Sequence, residues 1–241
     1  MHKRVLVAVA HGSADPRASA TIAELAGLAR ERSPGLDLRT AFLGHAPPSL
    51  PQVLGTIEAD REATVLPLLL TAAYHSKADI PRVLARCGPH RVSYGATLGP
   101  HPLLLRALER RLPAAALEDP AEVGVVLAAA GSSDPEANAT IAGLAAQWQA
   151  ETGWFAVRPA YASAAGPTPA QAVAELRQAG ARRVVVASYL LAPGLFADRI
   201  RATALAAGAA AVSPALGALP EVADVVLDRY IEAGTREQAA A

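Results

Sequence analysis

Cysteine is nearly absent from this chain of 241 residues, which contains only Cys87. A disulfide within the chain is therefore excluded, and so is a zinc or iron–sulfur site built from four cysteines. Aromatic residues make up only 4% of the chain, whereas 52% of its residues are hydrophobic. The apolar residues are mostly Ala, Leu and Val, a composition typical of a globular protein whose helices pack closely on a sheet.

The sequence also lacks an excess of charge and a long apolar run. It has 22 Lys and Arg residues against 22 Asp and Glu residues, so we expect no general attraction to nucleic acid or anionic membranes. No uninterrupted apolar stretch approaches the roughly 18 residues that span a bilayer. The short apolar run after Arg4 ends in His-Gly-Ser, which is typical of a strand entering a turn rather than of a signal peptide. We therefore expect a cytoplasmic protein.

The chain contains an internal repeat with an offset of 119 residues. Residues 10–26 match residues 129–145 at 12 of 17 positions without a gap. The same offset pairs Phe42 with Tyr161, Pro48 with Pro167, Ser49 with Thr168, Gln52 with Gln171, Ala73 with Ala192 and Asp79 with Asp198. Two copies of one ancestral domain explain this pattern. We predict an N-terminal domain over 1–115 and a C-terminal domain over 120–241, joined by a linker at 113–120.

Each copy reads as four strand–helix pairs. Apolar runs predict strands at 5–10, 36–43, 64–71 and 91–98 in the first copy, and near 123–129, 155–162, 183–190 and 210–216 in the second. Helix starts are indicated at Asp15-Pro16, Ser49, Lys77 and His101. Alternating strands and helices predict an α/β fold with two similar domains, each a four-stranded parallel sheet with helices on both faces.

The copies differ in their histidines. All six lie in the first copy, and the second has none. In the ungapped alignment Ala130 replaces His11, and Gly194 replaces His75. Both histidines follow predicted strands, at the sheet edge where parallel α/β proteins bind ligands. Two imidazoles there can hold a divalent metal or move protons, so we predict a catalytic first copy and a degenerate second copy.

Four segments of the first copy resemble the class II tetrapyrrole chelatases, the CbiX/SirB sirohydrochlorin chelatase family in its long, duplicated form. They are AHGSADPRA (10–18), AFLGHAPPSLP (41–51), PLLLTAAYHSKADIP (67–81) and TLGPHPLL (97–104). The resemblance implies a lyase that inserts Fe2+ (for sirohaem) or Co2+ (for cobalamin) into sirohydrochlorin without ATP. It implies that His11 and His75 bind the metal and accept pyrrole protons, with no cofactor beyond the metal substrate.

The sequence departs from the family pattern in two places. The family often has an acidic residue after Phe-Leu, where this chain has Gly44 followed by His45. Whether His45 replaces that carboxylate stays open. The family also commonly has Arg after His-Gly-Ser, where this chain has Ala14, and Arg17 could reach a substrate carboxylate instead.

We expect four residues to bind the acidic substrate: Ser13, Arg17, His45 and Lys77. Arg17 and Lys77 can pair with propionate or acetate groups of the macrocycle. Backbone N–H groups near Ser13, at a helix start, favour another carboxylate. Because the duplication supplies two lobes, we expect a monomer.

The sequence bears on three alternatives to the chelatase interpretation. Histidine phosphatases place Arg before a similar His-Gly, but Ala10 stands there. A nucleotide or flavin binder is disfavoured because neither GxGxxG nor GxxxxGK[ST] occurs. A non-catalytic carrier of tetrapyrrole or metal stays open, as does the choice among iron, cobalt and nickel, all of which two imidazoles accept.

Overall fold

The structure, a computed structural model, describes residues 4–73, 75–86 and 92–240. His2, Cys87 and His90 lie outside the described residues. The strands of the described part are β1 (Arg4–Ala10), β2 (Leu38–Phe42), β3 (Glu62–Pro67), β4 (Val92–Tyr94), β5 (Val123–Ala129), β6 (Ala156–Tyr161), β7 (Arg183–Tyr189) and β8 (Ala211–Val212). The helices are α1 (Pro16–Arg32), α2 (Leu50–Leu54), α3 (Ile80–Leu84), α4 (Pro102–Arg111), α5 (Ala114–Leu117), α6 (Pro135–Glu151), α7 (Pro169–Gln178), α8 (Leu195–Ala206) and α9 (Pro220–Ala240).

The strands form two parallel sheets with the same topology. In the described residues each sheet has four strands, in the orders β2-β1-β3-β4 and β6-β5-β7-β8. Strands β1 and β5 are central and almost entirely buried, because their runs of Val, Leu and Ala pack against layers on both faces. The predicted fold class, a duplicated α/β protein with four-stranded parallel sheets, is confirmed.

The compact units differ from the sequence repeats at the last helix of each copy. One unit comprises Met1–Leu103 with Gly217–Ala241, and the other comprises Leu104–Leu216. Helix α9, although it ends the second repeat, packs against α1, β3 and β4 of the first unit. Most of α4 belongs to the second unit, where Trp148 donates its indole N–H to the Glu109 carboxylate at 2.8 Å. The segment predicted as a linker also lies in the second unit and includes the short helix α5.

Several elements are shorter than their apolar runs. β3 ends at Pro67, although the apolar run continues through Leu70, and β8 has two residues instead of the predicted seven. The helix predicted over 77–87 begins as a π-helical turn, His75–Asp79, and continues as α3. Hydrophobic runs predict burial rather than strand length, and Leu68 and Leu216 are buried although they lie beyond the ends of β3 and β8.

The strand register corrects the ungapped alignment of the repeats beyond β2 and β6. Val7 pairs with Val65 in the first sheet, and Val126 pairs with Val186 in the second. Val7 and Val126 keep the offset of 119 residues, but Val65 and Val186 are 121 apart (186 minus 65). The second copy therefore has two more residues between its first and third strands.

This shift changes which residues of the second copy correspond to the residues after β3 in the first copy. The N–H of Lys77 donates to the carbonyl four residues earlier, and the N–H of Asp198 does the same at the offset of 121. The ungapped pairing of His75 with Gly194 is therefore wrong by two residues, and so are the pairings of Ala73 with Ala192 and of Asp79 with Asp198. In the corrected register His75 corresponds to Phe196, so the second copy still has no imidazole at this position.

No helix in the described part of the chain is long and apolar enough to cross a membrane.

Candidate functional site

The site is built around His11, which directly follows the last residue of β1. Because β1 lies between β2 and β3, the loops that follow all three strands meet at its carboxyl end. His11 is exposed there and lines a cavity of about 320 Å³. The cavity is lined by His11, Leu43, Gly44, His45, Asp79, Arg82 and Val83.

Gly12 is needed for the close approach of the loops after β1 and β2. Its φ is +88°, in the left-handed region that side chains disfavour, and a Cβ there would overlap the carbonyl oxygen of Gly44. The Gly44 N–H donates to the His11 carbonyl at 3.2 Å and ties the two loops together. Gly131 repeats this geometry in the second copy, with a φ of +84°. Gly12 is therefore explained by the backbone geometry of the loop, and the loop geometry does not by itself require a histidine at position 11.

His45 stands beside His11 in this cavity. The two ring centroids are 6.4 Å apart, and the rings are inclined at 63°. Imidazole nitrogens bind borderline metals at about 2.0–2.1 Å, which puts two rings roughly 5 Å apart at a tetrahedral ion. The observed ring separation is therefore longer than one shared ion requires.

Asp79 and Arg82 add charge to the same cavity. Asp79 ends the π-helical turn, and its carboxylate lies 3.4 Å from the Arg82 guanidinium. In the sequence, Asp79 stands out only as part of the repeat and of the family segment 67–81, and Arg82 belongs to no motif. Their spacing of three residues within a predicted helix was the available signal, because such residues share one helical face.

His75 begins the π-helical turn, and its side chain lies outside the described part of the chain. The backbone of this turn is held from two sides. The Tyr94 hydroxyl donates to the Ser76 carbonyl at 2.8 Å, and the Ser76 hydroxyl donates to the Ala73 carbonyl at 3.0 Å. Burial raises the pKa of Tyr94 to about 12, so this hydroxyl keeps its proton at neutral pH.

Ser13 and Arg17 contact the start of α1. The Ser13 hydroxyl accepts from the Asp15 N–H at 3.1 Å, and Asp15 in turn caps the helix by accepting from the Arg17 N–H at 2.9 Å. The Arg17 guanidinium also pairs with the Asp15 carboxylate at 2.6 Å and, with these hydrogen bonds, lowers the pKa of that carboxyl. Lys77 is exposed on the π-helical turn. Ser13, Arg17 and Lys77 are not among the residues that line the cavity.

His101 lies away from these loops, at the start of α4. Its Nδ1 accepts from the Leu103 N–H at 3.3 Å, and its Nε2 lies 3.7 Å from the Asp228 carboxylate. Burial lowers the pKa of His101, which favours the neutral ring that accepts this hydrogen bond. Among the described side chains, no group of three or more His, Cys, Asp and Glu residues is arranged to hold a metal ion.

The fold and the site define a class: duplicated parallel α/β proteins that carry histidines at the strand ends of one copy only. The CbiX family model matches residues 5–115 and 124–233, so that both copies are covered. The chain belongs to the CbiX family.

Curated relatives with similar sequences carry chelatase names. The sirohydrochlorin cobaltochelatase of Priestia megaterium is 28% identical over 201 residues, covering 80% of this chain and 65% of the relative. The sirohydrochlorin ferrochelatase of Bacillus subtilis (strain 168) is 33% identical over 141 residues, covering 56% of this chain and 53% of the relative. The chain thus spans about two thirds of the first relative and about half of the second.

A solved structure supports the fold along nearly the whole chain. SirB from Bacillus subtilis with Fe3+ superimposes with a TM-score of 0.83 at 24% identity, covering 98% of this chain and 97% of SirB. At this identity the likeness concerns the fold, and it extends over both sheets.

Proposed function

We propose that this protein is a sirohydrochlorin chelatase, which inserts Fe2+ or Co2+ into the macrocycle without ATP. The observation that carries the proposal is the position of His11, beside a second imidazole in a strand-end cavity of a chain whose two copies both match the CbiX family. The names of the relatives, a cobaltochelatase and a ferrochelatase, support the reaction and the two metals.

The chemistry requires a group that binds a metal and also accepts protons. Metallation of a tetrapyrrole forms four metal–nitrogen bonds, releases two pyrrole N–H protons and strips solvent from the ion. A neutral imidazole can act as metal ligand and as proton acceptor near pH 7. We assign both roles to His11 and His75.

Positive charge near the cavity suits the carboxylates of the substrate. Arg82 lines the cavity, where it can pair with a propionate or acetate group as the Asp79 carboxylate exchanges its partner. Lys77 and Arg17 remain candidates at its margin, together with the helix-start N–H groups near Ser13. The apolar neighbours Leu43 and Val83 offer surface to the macrocycle.

The direct test measures metallation of sirohydrochlorin by purified protein under anaerobic conditions, with Fe2+, Co2+ or Ni2+. Loss of a general base typically lowers a rate by about 10²–10⁴-fold, so His11→Ala and His75→Ala should each lower metallation by that order. His101→Asn, which keeps a hydrogen-bond acceptor at the start of α4, is the matched histidine control. Wild-type rates in both site variants would refute the assignment.

Two further measurements distinguish the proposed chelatase from an ATP-dependent enzyme and from a carrier. We expect ATP to leave the rate unchanged, and strict dependence on ATP would contradict the proposed class. Single-turnover metallation at high enzyme concentration should exceed the uncatalysed rate. Tight binding of tetrapyrrole with no acceleration would instead identify a carrier.

A further inference from the structure

The cavity beside His11 contains a negative charge, although the proposed substrate is itself acidic. Asp79 is half-buried at the end of the π-helical turn, and Arg82 follows it in α3. Both side chains line the cavity. A carboxylate in this position repels the carboxylates of a tetrapyrrole, so it opposes the binding that the arginine favours.

The carboxylate of Asp79 lies next to the guanidinium of Arg82. The two groups are 3.4 Å apart, and residues with this spacing of three share one helical face. Arg82 has 55% of its side chain exposed, compared with 28% for Asp79. The guanidinium is thus paired with an acidic group of the protein itself and stays accessible to an acidic group from solvent.

An exposed ion pair of this kind is weak enough for a ligand to replace. Such pairs change an equilibrium constant by only about 1.4–5-fold, because water and salt screen the two charges. A substrate carboxylate can bind a guanidinium through two parallel, charge-assisted hydrogen bonds, which are stronger than bonds between neutral groups. The substrate therefore regains on Arg82 what the exchange of partners costs.

We propose that Arg82 selects tetrapyrroles with free carboxylates, and that Asp79 occupies Arg82 until a substrate carboxylate replaces it. The inference rests on the proposed function for the identity of the ligand, and it adds a competition within the binding site. A macrocycle without carboxylates gains nothing from Arg82, since the arginine stays with Asp79. The two neighbouring residues should therefore have opposite effects on substrate affinity.

The test measures the Kd of metal-free sirohydrochlorin for the full-length protein, by equilibrium titration without metal, so that turnover is not needed. Loss of a hydrogen bond to a charged group changes an equilibrium constant by about 10–100-fold, and Arg82→Gln should raise Kd by that order. Arg82→Lys keeps the charge without the fork of donors, and its Kd should be intermediate. The methyl ester of sirohydrochlorin should bind the wild type and Arg82→Gln alike, because its carboxylates are neutralised.

Asp79→Asn should act in the opposite direction and lower Kd by about 1.4–5-fold, because the substrate no longer competes with the carboxylate. This gain should be larger when Arg82 is present than in the background of Arg82→Gln. An equal or larger gain in that background would indicate simple charge repulsion, and it would overturn the competition between Asp79 and the substrate.

Arg182 and Glu122 supply the matched controls. They form an exposed ion pair in the second unit, 2.7 Å apart, and they are not among the residues that line the cavity. Arg182→Gln and Glu122→Gln should leave Kd unchanged. Equal effects of Arg82→Gln and Arg182→Gln would show a general effect of net charge and would overturn the selective role of Arg82.

These outcomes are distinct from failure of the proposed function. If the wild type metallates sirohydrochlorin but Arg82→Gln binds it normally, only the role of Arg82 is refuted. If binding depends on Arg82 as described but the wild type never accelerates metallation, the recognition of carboxylates stands and the chelatase activity does not. A wild type that binds no sirohydrochlorin would refute both.

Discussion

At the scale of single residues, the strand-end loop separates structural from chemical requirements. Gly12 and Gly131 are both present because each copy brings two backbones into contact at this point. His11 occurs in one copy only, although the backbone around it is repeated. The glycine present in both copies is therefore required by the backbone fold, and the histidine present in only one copy is a candidate for the chemistry of the site.

Gly12→Ala should destabilise the first unit strongly. The new Cβ would overlap the Gly44 carbonyl oxygen, and the alanine would have to adopt a positive φ. We therefore expect the free energy of unfolding to fall by about 3 kcal/mol or more. Gly27→Ala is the control, because Gly27 lies in α1 with open space around it, and it should gain about 0.5–1 kcal/mol. Chemical denaturation measures both, and equal stability of the two variants would contradict the argument.

At the scale of elements, the π-helical turn His75–Asp79 departs from the α-helical geometry that the sequence predicts for this segment. A π-helical turn accommodates one more residue than an α-helical turn, and such turns are frequent at functional sites. Here it carries His75 at its first position and Asp79 at its last. The Tyr94 hydroxyl makes a long-range contact with this turn, at 2.8 Å from the Ser76 carbonyl.

Tyr94→Phe should therefore impair metallation more than stability. Because Tyr94 is partly exposed, water can replace its hydrogen bond, and we expect a loss of only about 1 kcal/mol of stability. The turn should nevertheless shift, and the metallation rate should fall severalfold with little change in the melting temperature. Tyr161→Phe is the matched control, because its hydroxyl donates to the Asn138 carbonyl at 2.8 Å in the second unit. Similar activity losses in both variants would refute a positioning role for Tyr94.

At the scale of the whole chain, the first unit is completed by residues from the end of the sequence. Arg32 of α1 pairs with Asp224 of α9 at 2.6 Å, and the Arg229 guanidinium donates to the Pro100 carbonyl at 2.8 Å. Val222, Ala223, Val225 and Val226 of α9 are buried. The predicted N-terminal domain of 1–115 therefore lacks a helix that covers its sheet.

Deletion of residues 217–241 should unfold the first unit. Burial of each Val side chain contributes about 1.5–3 kcal/mol, so loss of several removes a large part of the 5–15 kcal/mol that stabilises a domain. Hydrogen exchange should show loss of protection in β1 and β3, while β5 and β7 stay protected. Deletion of 236–241 alone, beyond the buried Ala233, is the control. Full protection of β1 in the longer deletion would disprove the role of α9.

Sequence alone determined the features that depend on local pattern. The repeat, the central strands β1 and β5, the start of α1 at Asp15-Pro16 and the place of His11 at a strand end all follow from short-range periodicity and turn chemistry. These elements match the structure because buried strands and capped helices have residue requirements that are readable over a few positions.

Only the tertiary structure decided which distant residues meet. It placed His45 beside His11, brought Asp79 and Arg82 into the cavity, shifted the repeat offset at β3 and returned α9 to the first unit. Apart from the three-residue spacing of Asp79 and Arg82, these features have no local signal, because loop conformation and packing partners arise from contacts between segments far apart in the chain. The ring pair shows the reason most directly: two backbone hydrogen bonds between loops, rather than any sequence spacing, set the distance between the imidazoles.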